Sequence, residues 1–194
     1  MTESILKADE ILELEFEYAR ETAAQAQNDR TTIVNLYLLL VGGVGSIALG
    51  LPQIVSDNSR STSVTLPSSA YMLLFALLGI TGFFMLMKLV RLRQAWYESV
   101  RAMNQIKKFY LQRFPELDAA FLWKAETIPA AGKPWTITFN LSVLVMLLDS
   151  TAIAIAVHMT GLRLPLGDYA LDAFAAFIFF AWQLFYYFYQ LAYE

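Results

Sequence analysis

Four long stretches of this chain carry almost no charge, and each is long enough to cross a lipid bilayer as a helix. Crossing the ~30 Å hydrocarbon core takes about 20 mostly apolar helical residues. Residues 31–56, 61–87 and 173–193 contain no charged side chain, and residues 134–162 contain only Asp149 and His158. The sequence therefore predicts an all-α integral membrane protein with four transmembrane helices.

The overall composition agrees with a membrane protein and disfavours a soluble domain. Apolar residues make up 57% of the 194 residues and charged residues only 16%, against ~45–50% and ~25% in soluble proteins. The first 30 residues are acidic and amphipathic, whereas a signal peptide begins with basic residues and places its apolar stretch early. We therefore expect a folded segment ahead of the first span.

The predicted segments follow one another in a simple order. The four spans cover residues 31–52, 70–90, 134–160 and 170–193. An N-terminal helix covers 1–30, and a second non-spanning helical segment covers 91–133. External loops cover 53–69 and 161–169.

The placement of basic residues predicts the orientation of the chain. Nine of the fourteen Lys and Arg residues lie between residues 88 and 133, and the two predicted external loops contain one each, Arg60 and Arg163. Cytoplasmic loops are enriched in Lys and Arg. We therefore expect a multi-pass protein of the cell inner membrane whose N-terminus, central segment and C-terminus are all cytoplasmic.

The two non-spanning segments are amphipathic and opposite in charge. Residues 1–31 carry eight acids and three bases, while residues 88–133 carry nine bases and four acids. Apolar side chains recur at helical spacing in both. They are Ile5, Leu6, Ile11, Leu12, Phe16, Ala19, Ala23 and Ala26 in the first, and Leu92, Trp96, Val100, Met103, Ile106 or Lys107, and Tyr110 in the second. This pattern predicts that the two helices pack on each other, within one protomer or between protomers.

Four polar residues inside the spans are candidates for a pore lining or a gate: Asp149, Ser142, Gln183 and Asn35. An ionised carboxylate at the centre of a transmembrane helix costs about 2.5–3.5 kcal/mol on insertion scales, so such a residue usually faces protein or water. Asp149 therefore indicates either a pore or proton site, or a hydrogen bond to another span. For Gln183, a role in interhelical packing is favoured over a channel wall.

Small residues and basic residues mark two further kinds of contact. Gly42, Ser46 and Gly50 lie four residues apart in the first span, and Gly79 and Gly82 lie in the second. Such small residues let transmembrane helices approach closely, so we assign these five to helix packing. The basic residues of the central segment are candidates for contact with a partner or with lipid: Arg91, Arg93, Arg101, Lys107 and Lys108.

No enzyme signature is present in the chain. Cysteine is absent and His158 is the single histidine. His158 lies nine residues from Asp149, about half a turn out of phase, so the two do not form a dyad within one helix. Because enzyme motifs and clusters of metal ligands are absent from the sequence, we expect no catalytic residue, no metal site and no cofactor. We expect no nucleic-acid partner, because the chain as a whole is acidic.

The layout is similar to that of small bacterial membrane effectors that oligomerise and perturb the membrane when a partner signals. It implies a homo-oligomer in the lipid bilayer with a channel-like or membrane-perturbing activity that a cytoplasmic protein partner or signal controls. The alternative is a non-conducting scaffold or accessory subunit that docks a partner through its cytoplasmic helices. A lipid-modifying enzyme is a third hypothesis, which no nucleophile or metal cluster supports.

Overall fold

The computed structural model describes residues 2–56, 67–120, 128–163, 165 and 167–192, with side chains for 9–49, 67–119, 128–163, 165 and 167–192. Most of the predicted external loop 53–69, residues 121–127 of the predicted segment 91–133, and the surroundings of Gly50 lie outside these ranges. The described part of the chain is helical, and four of its helices are long and apolar enough to cross a membrane.

Two of the four helices are much longer than a bilayer is thick. Helix α1 covers Thr2–Ser56 and helix α2 covers Ser68–Arg113. At 1.5 Å per residue they are about 82 and 69 Å long, more than twice the hydrocarbon thickness. Each therefore combines a membrane-spanning part with a long extension. We call residues 2–30 the α1 extension and residues 91–113 the α2 extension.

The other two long helices match the bilayer. Helix α3 covers Ile137–His158 and helix α4 covers Ala170–Ala192, or about 33 and 35 Å at 1.5 Å per residue. Thr136 caps α3, because its side chain accepts a hydrogen bond from the backbone N–H of Phe139. Helix α2 ends before Pro115, which begins a short 3₁₀ helix, Pro115–Ala120. Proline cannot continue the helix because it lacks the backbone N–H and clashes with the previous turn.

The helices pack in chain order, and the bundle is open on one side. Helix α1 packs along α2, α2 along α3, and α3 along α4, while no Cα atom of α1 lies within 8 Å of a Cα atom of α4 among the described residues. Helices α2 and α3 are therefore central, and α1 and α4 each leave one side uncovered. All four helices contribute side chains to the core. The fully buried ones include Tyr37, Leu86, Leu89, Met146 and Tyr187.

The two extensions contact each other, as their opposite charges and apolar faces predict. The Tyr110 hydroxyl donates a hydrogen bond of 3.4 Å to Asp9 Oδ1, and Ala19, Ala23 and Ala26 are buried. The inclusion of Ile11 in the buried face was wrong, because it is 59% exposed. Adjacent helical residues point about 100° apart. Leu12 is half-buried, so its neighbour Ile11 cannot face α2 as well.

Candidate functional site

A cluster of buried polar side chains lies where the membrane-spanning parts of the four helices meet. Asp149 on α3 and Gln183 on α4 are both fully buried. Gln183 Nε2 donates a hydrogen bond of 2.9 Å to Asp149 Oδ1, and the Ser150 hydroxyl lies 3.4 Å from the same oxygen. The costly carboxyl group predicted from the sequence is thus enclosed by protein and joined to a neighbouring helix.

Gly82 on α2 makes room for the other side of this carboxyl group. A Cβ atom at Gly82 would lie 2.5 Å from the Tyr37 hydroxyl oxygen and 2.8 Å from Asp149 Oδ2. These two oxygens have no hydrogen-bond partner among the described residues. Tyr37 on α1 and Asp149 on α3 therefore present adjacent unpaired polar atoms in the space that the glycine leaves. We call Tyr37, Gly82, Asp149, Ser150 and Gln183 the polar cluster.

Further unpaired polar atoms lie along the same bundle interior. The Ser142 hydroxyl, Gln183 Oε1 and the Tyr187 hydroxyl are buried and without a hydrogen-bond partner among the described residues. A buried polar atom that makes no hydrogen bond costs about 1–3 kcal/mol, and such groups commonly bind a buried water molecule. The interior of the bundle can therefore hold a proton or water, and it also links α3 to α4.

Tyr37 and Ser150 are the members of the cluster that sequence reasoning missed. Tyr37 follows Ile33 and Val34 by four and three residues, and all three are buried. That spacing places them on one helix face. A buried face of α1 was therefore readable from this apolar spacing, but the meeting of Tyr37 with Asp149 was not.

Asn35, the fourth pore or gating candidate, lies apart from the polar cluster. It is exposed on α1, as are Gly42 and Ser46. A Cβ atom at Gly42 would meet nothing within 4 Å, and the Ser46 hydroxyl donates to the Gly42 carbonyl of its own helix at 2.8 Å. We call Asn35, Gly42 and Ser46 the α1 stripe. All three residues are exposed in the protomer, whereas Gly79 and Gly82 pack closely on α3.

The basic candidates of the α2 extension differ in their surroundings. Arg91, Arg101 and Lys108 are exposed, and Lys107 is half-buried. Arg93 is only 7% exposed, and its guanidinium lies 4.6 Å from the centre of the Trp96 ring. The exposed residues of this set are accessible to a partner or to lipid headgroups, and Arg93 belongs to the interior.

A groove of about 690 Å³ runs between the two extensions. Its apolar lining comes from both helices, and three acids stand beside it. The lining residues are Asp9, Glu10, Leu12, Glu13, Phe16, Ile106, Lys107 and Tyr110. Partial burial and the Asp9 carboxylate raise the pKa of Tyr110, so its hydroxyl remains a proton donor at neutral pH.

His158 takes part in a contact at the opposite end of the bundle. Its Nδ1 lies 2.8 Å from Asp172 Oδ2, and its ring stacks on Tyr169 with the ring centres 5.6 Å apart. This pair joins the end of α3 to the start of α4. His158 is therefore engaged with α4, away from Asp149.

Comparison with known proteins adds no relative to this picture. No family model, curated protein or solved structure matches the chain. The function must therefore be argued from the geometry of the chain itself.

Proposed function

We propose that this protein is a homo-oligomeric, channel-like or membrane-perturbing effector whose cytoplasmic extensions respond to a partner or signal. The observation that carries the proposal is the uncovered α1 stripe. Asn35 is exposed on a helix that crosses the membrane, and a polar amide facing lipid is unfavourable. A second copy of the chain supplies both a hydrogen-bonding partner for Asn35 and a close fit to Gly42 and Ser46.

The open side of the bundle supports the same arrangement. Because the backbones of α1 and α4 stay more than 8 Å apart at every Cα pair among the described residues, a neighbouring copy has access to the α1 stripe. The polar cluster is enclosed within the protomer, so a conducting path lies between subunits along α1. The activity is not enzymatic, and the extensions face the cytoplasm, on the side that the basic residues favour.

Cysteine cross-linking tests the assembly, because the natural chain contains no cysteine. Ser46→Cys places a thiol on the α1 stripe, and Leu147→Cys is the matched control because Leu147 is 53% exposed on α3. We expect disulfide-linked dimers in lipid for Ser46→Cys and not for Leu147→Cys. Equal cross-linking of the two variants would refute assembly through the α1 stripe.

Ion flux tests the activity in a reduced sample of the same variants, in which the introduced cysteines carry free thiols. Liposomes that contain the purified protein are expected to release an enclosed small ionic dye. A water-soluble thiol reagent is expected to block this release for Ser46→Cys and not for Leu147→Cys. Asp149→Asn keeps the size of the side chain, so an unchanged flux removes the Asp149 charge from the mechanism. Absence of any flux from cross-linked oligomers contradicts the channel-like function.

The groove between the extensions favours a second function, that of a scaffold or accessory subunit. Leu12, Phe16 and Ile106 give the groove an apolar floor, with Asp9 and Glu13 beside it. This chemistry suits a basic amphipathic helix of a partner protein. A synthetic lysine–leucine helix is expected to bind the full-length protein, and Leu12→Asp to weaken binding more than Leu14→Asp, because Leu14 is 61% exposed. Equal binding by both variants would exclude docking in the groove.

A further inference from the structure

Two arginines from different helices border one pocket where the extensions meet the membrane-spanning bundle, and Arg93 is buried while Arg30 is half-buried. Arg30 of α1 donates from Nη1 to the Thr138 hydroxyl on α3 at 2.9 Å. Arg93 of α2 donates from Nε to the backbone carbonyl of Ala131 at 3.1 Å. Both border one pocket, together with Thr138 and Trp96. We call Arg30 and Arg93 the arginine pair.

Each arginine keeps a buried N–H group that donates to nothing. Arg30 Nε and Arg93 Nη2 have no hydrogen-bond partner among the described residues. Arg93 as a whole residue is only 7% exposed. An unpaired donor that is also charged is among the costliest groups to bury. These two donors therefore represent unused binding capacity.

No carboxylate compensates the two positive charges within the described part of the chain. The ion pairs found there involve other residues. Burial lowers the pKa of both guanidinium groups, and the charge of Arg30 lowers that of Arg93 further, while Tyr187 opposes the change. Arginine nevertheless remains protonated in proteins, so two like charges face each other without a counter-charge.

The surroundings of the arginine pair add to the attraction for an anion. Thr138 is the second residue of α3, and the N-terminus of a helix carries partial positive charge and favours anions. Arg30 immediately precedes the charge-free stretch of α1 that begins at Thr31. This boundary places the arginine pair at the depth of lipid headgroups.

We propose that the arginine pair and Thr138 form a binding site for a phosphate group, supplied by an anionic phospholipid headgroup or by free phosphate. Arginine suits this ligand because its planar fork of donors matches phosphate oxygens. The pocket is small, with about 10 Å³ of space for the centre of a water-sized sphere, which is room for a single oxygen atom. One phosphate oxygen therefore enters the pocket towards the buried N–H groups, and the rest of the phosphate stays outside.

Titration of the full-length protein in a phosphate-free sugar detergent tests the site. One arm adds phosphatidylglycerol, a second adds inorganic phosphate, and a third adds an uncharged diacylglycerol; the unfolding temperature is followed by tryptophan fluorescence. We expect phosphatidylglycerol or phosphate to raise the unfolding temperature and diacylglycerol to have no such effect. Stabilisation by phosphatidylglycerol alone identifies a lipid headgroup as the source, and stabilisation by phosphate as well identifies a site for the free anion.

Three variants separate the site from general attraction of anions to a basic surface. Arg30→Gln and Arg93→Lys are expected to weaken binding by at least about tenfold, because each removes charged hydrogen bonds to the phosphate. Arg91→Gln is the matched control, since Arg91 is exposed two residues from Arg93. Arg93→Lys keeps the positive charge. It therefore still tests the site if the neutral variant Arg30→Gln fails to fold. The proposal is overturned if neither phosphate source stabilises the protein, or if Arg91→Gln loses as much binding as Arg30→Gln and Arg93→Lys.

Discussion

Replacing Gly82 by alanine tests the packing of the polar cluster. The new methyl group would lie 2.5 Å from the Tyr37 hydroxyl oxygen and 2.8 Å from Asp149 Oδ2. Ordinary contacts of this kind are no closer than about 3.4 Å, so both oxygens must move by more than half an ångström. They belong to side chains that are fully buried, which leaves little room for the movement.

The magnitude follows from two opposing effects. Overpacking a close-packed interior costs about 1–3 kcal/mol, while alanine is favoured over glycine inside a helix by about 1 kcal/mol. Gly43→Ala in α1 is the matched control, because a Cβ atom there meets nothing within 4 Å and the helix propensity change is the same. The difference in unfolding free energy between the two variants therefore isolates the overpacking cost, about 1–3 kcal/mol.

Denaturant unfolding in mixed micelles, followed by tryptophan fluorescence, measures this difference. Gly79→Ala provides an intermediate case, because its new methyl group would meet mainly the Ile153 side chain, 2.6 Å away. That side chain can rotate, so we expect a smaller loss than for Gly82→Ala. If Gly82→Ala and Gly43→Ala are equally stable, the close approach of α1, α2 and α3 around Gly82 is wrong.

Three further predictions concern single contacts. Gln183→Leu removes the donor to Asp149 and is expected to cost about 1 kcal/mol, whereas Gln190→Leu, which leaves its backbone acceptor intact, is expected to cost less in the same unfolding assay. The pKa of Tyr110 is raised above 10.0 in the folded chain, so its stabilisation of the packed extensions is complete below pH 10 and is lost as the pH rises through the raised pKa. The distance between labels on the two extensions is expected to increase in that pH range. Tyr110→Phe is expected to abolish this pH-dependent increase. His158→Gln is expected to change stability by no more than about 1 kcal/mol, because the histidine side chain is 41% exposed, and a larger loss in thermal unfolding would show that this contact holds α4 in place.

The general architecture was predictable because one physical requirement dominates it. Helices must satisfy their own backbone groups in lipid, so a charge-free run of 20 residues leaves few alternatives. The burial of Asp149 followed from the same reasoning, since a carboxyl group in the membrane must find protein or water. The packing role of Gln183 was predicted because polar side chains within spans commonly form hydrogen bonds between helices.

The partners of these residues were not predictable from the spacing of residues along the chain. Gln183 is 34 residues from Asp149, and Arg30 is 108 residues from Thr138. Periodicity reports which side of a helix is apolar and says nothing about which helix will cover it. For the same reason Arg93 was grouped with exposed neighbours such as Arg91, although only Arg93 turns into the bundle.

Helix α1 continues without a break through the membrane boundary, so its extension and its membrane-spanning part form one rigid rod. Arg30 is attached to Thr138, and the described side chains reach about 30 Å along α1 on either side of it, at 1.5 Å per residue. A tilt of α1 about this attachment moves the groove end and the far end of the spanning part by similar distances in opposite directions.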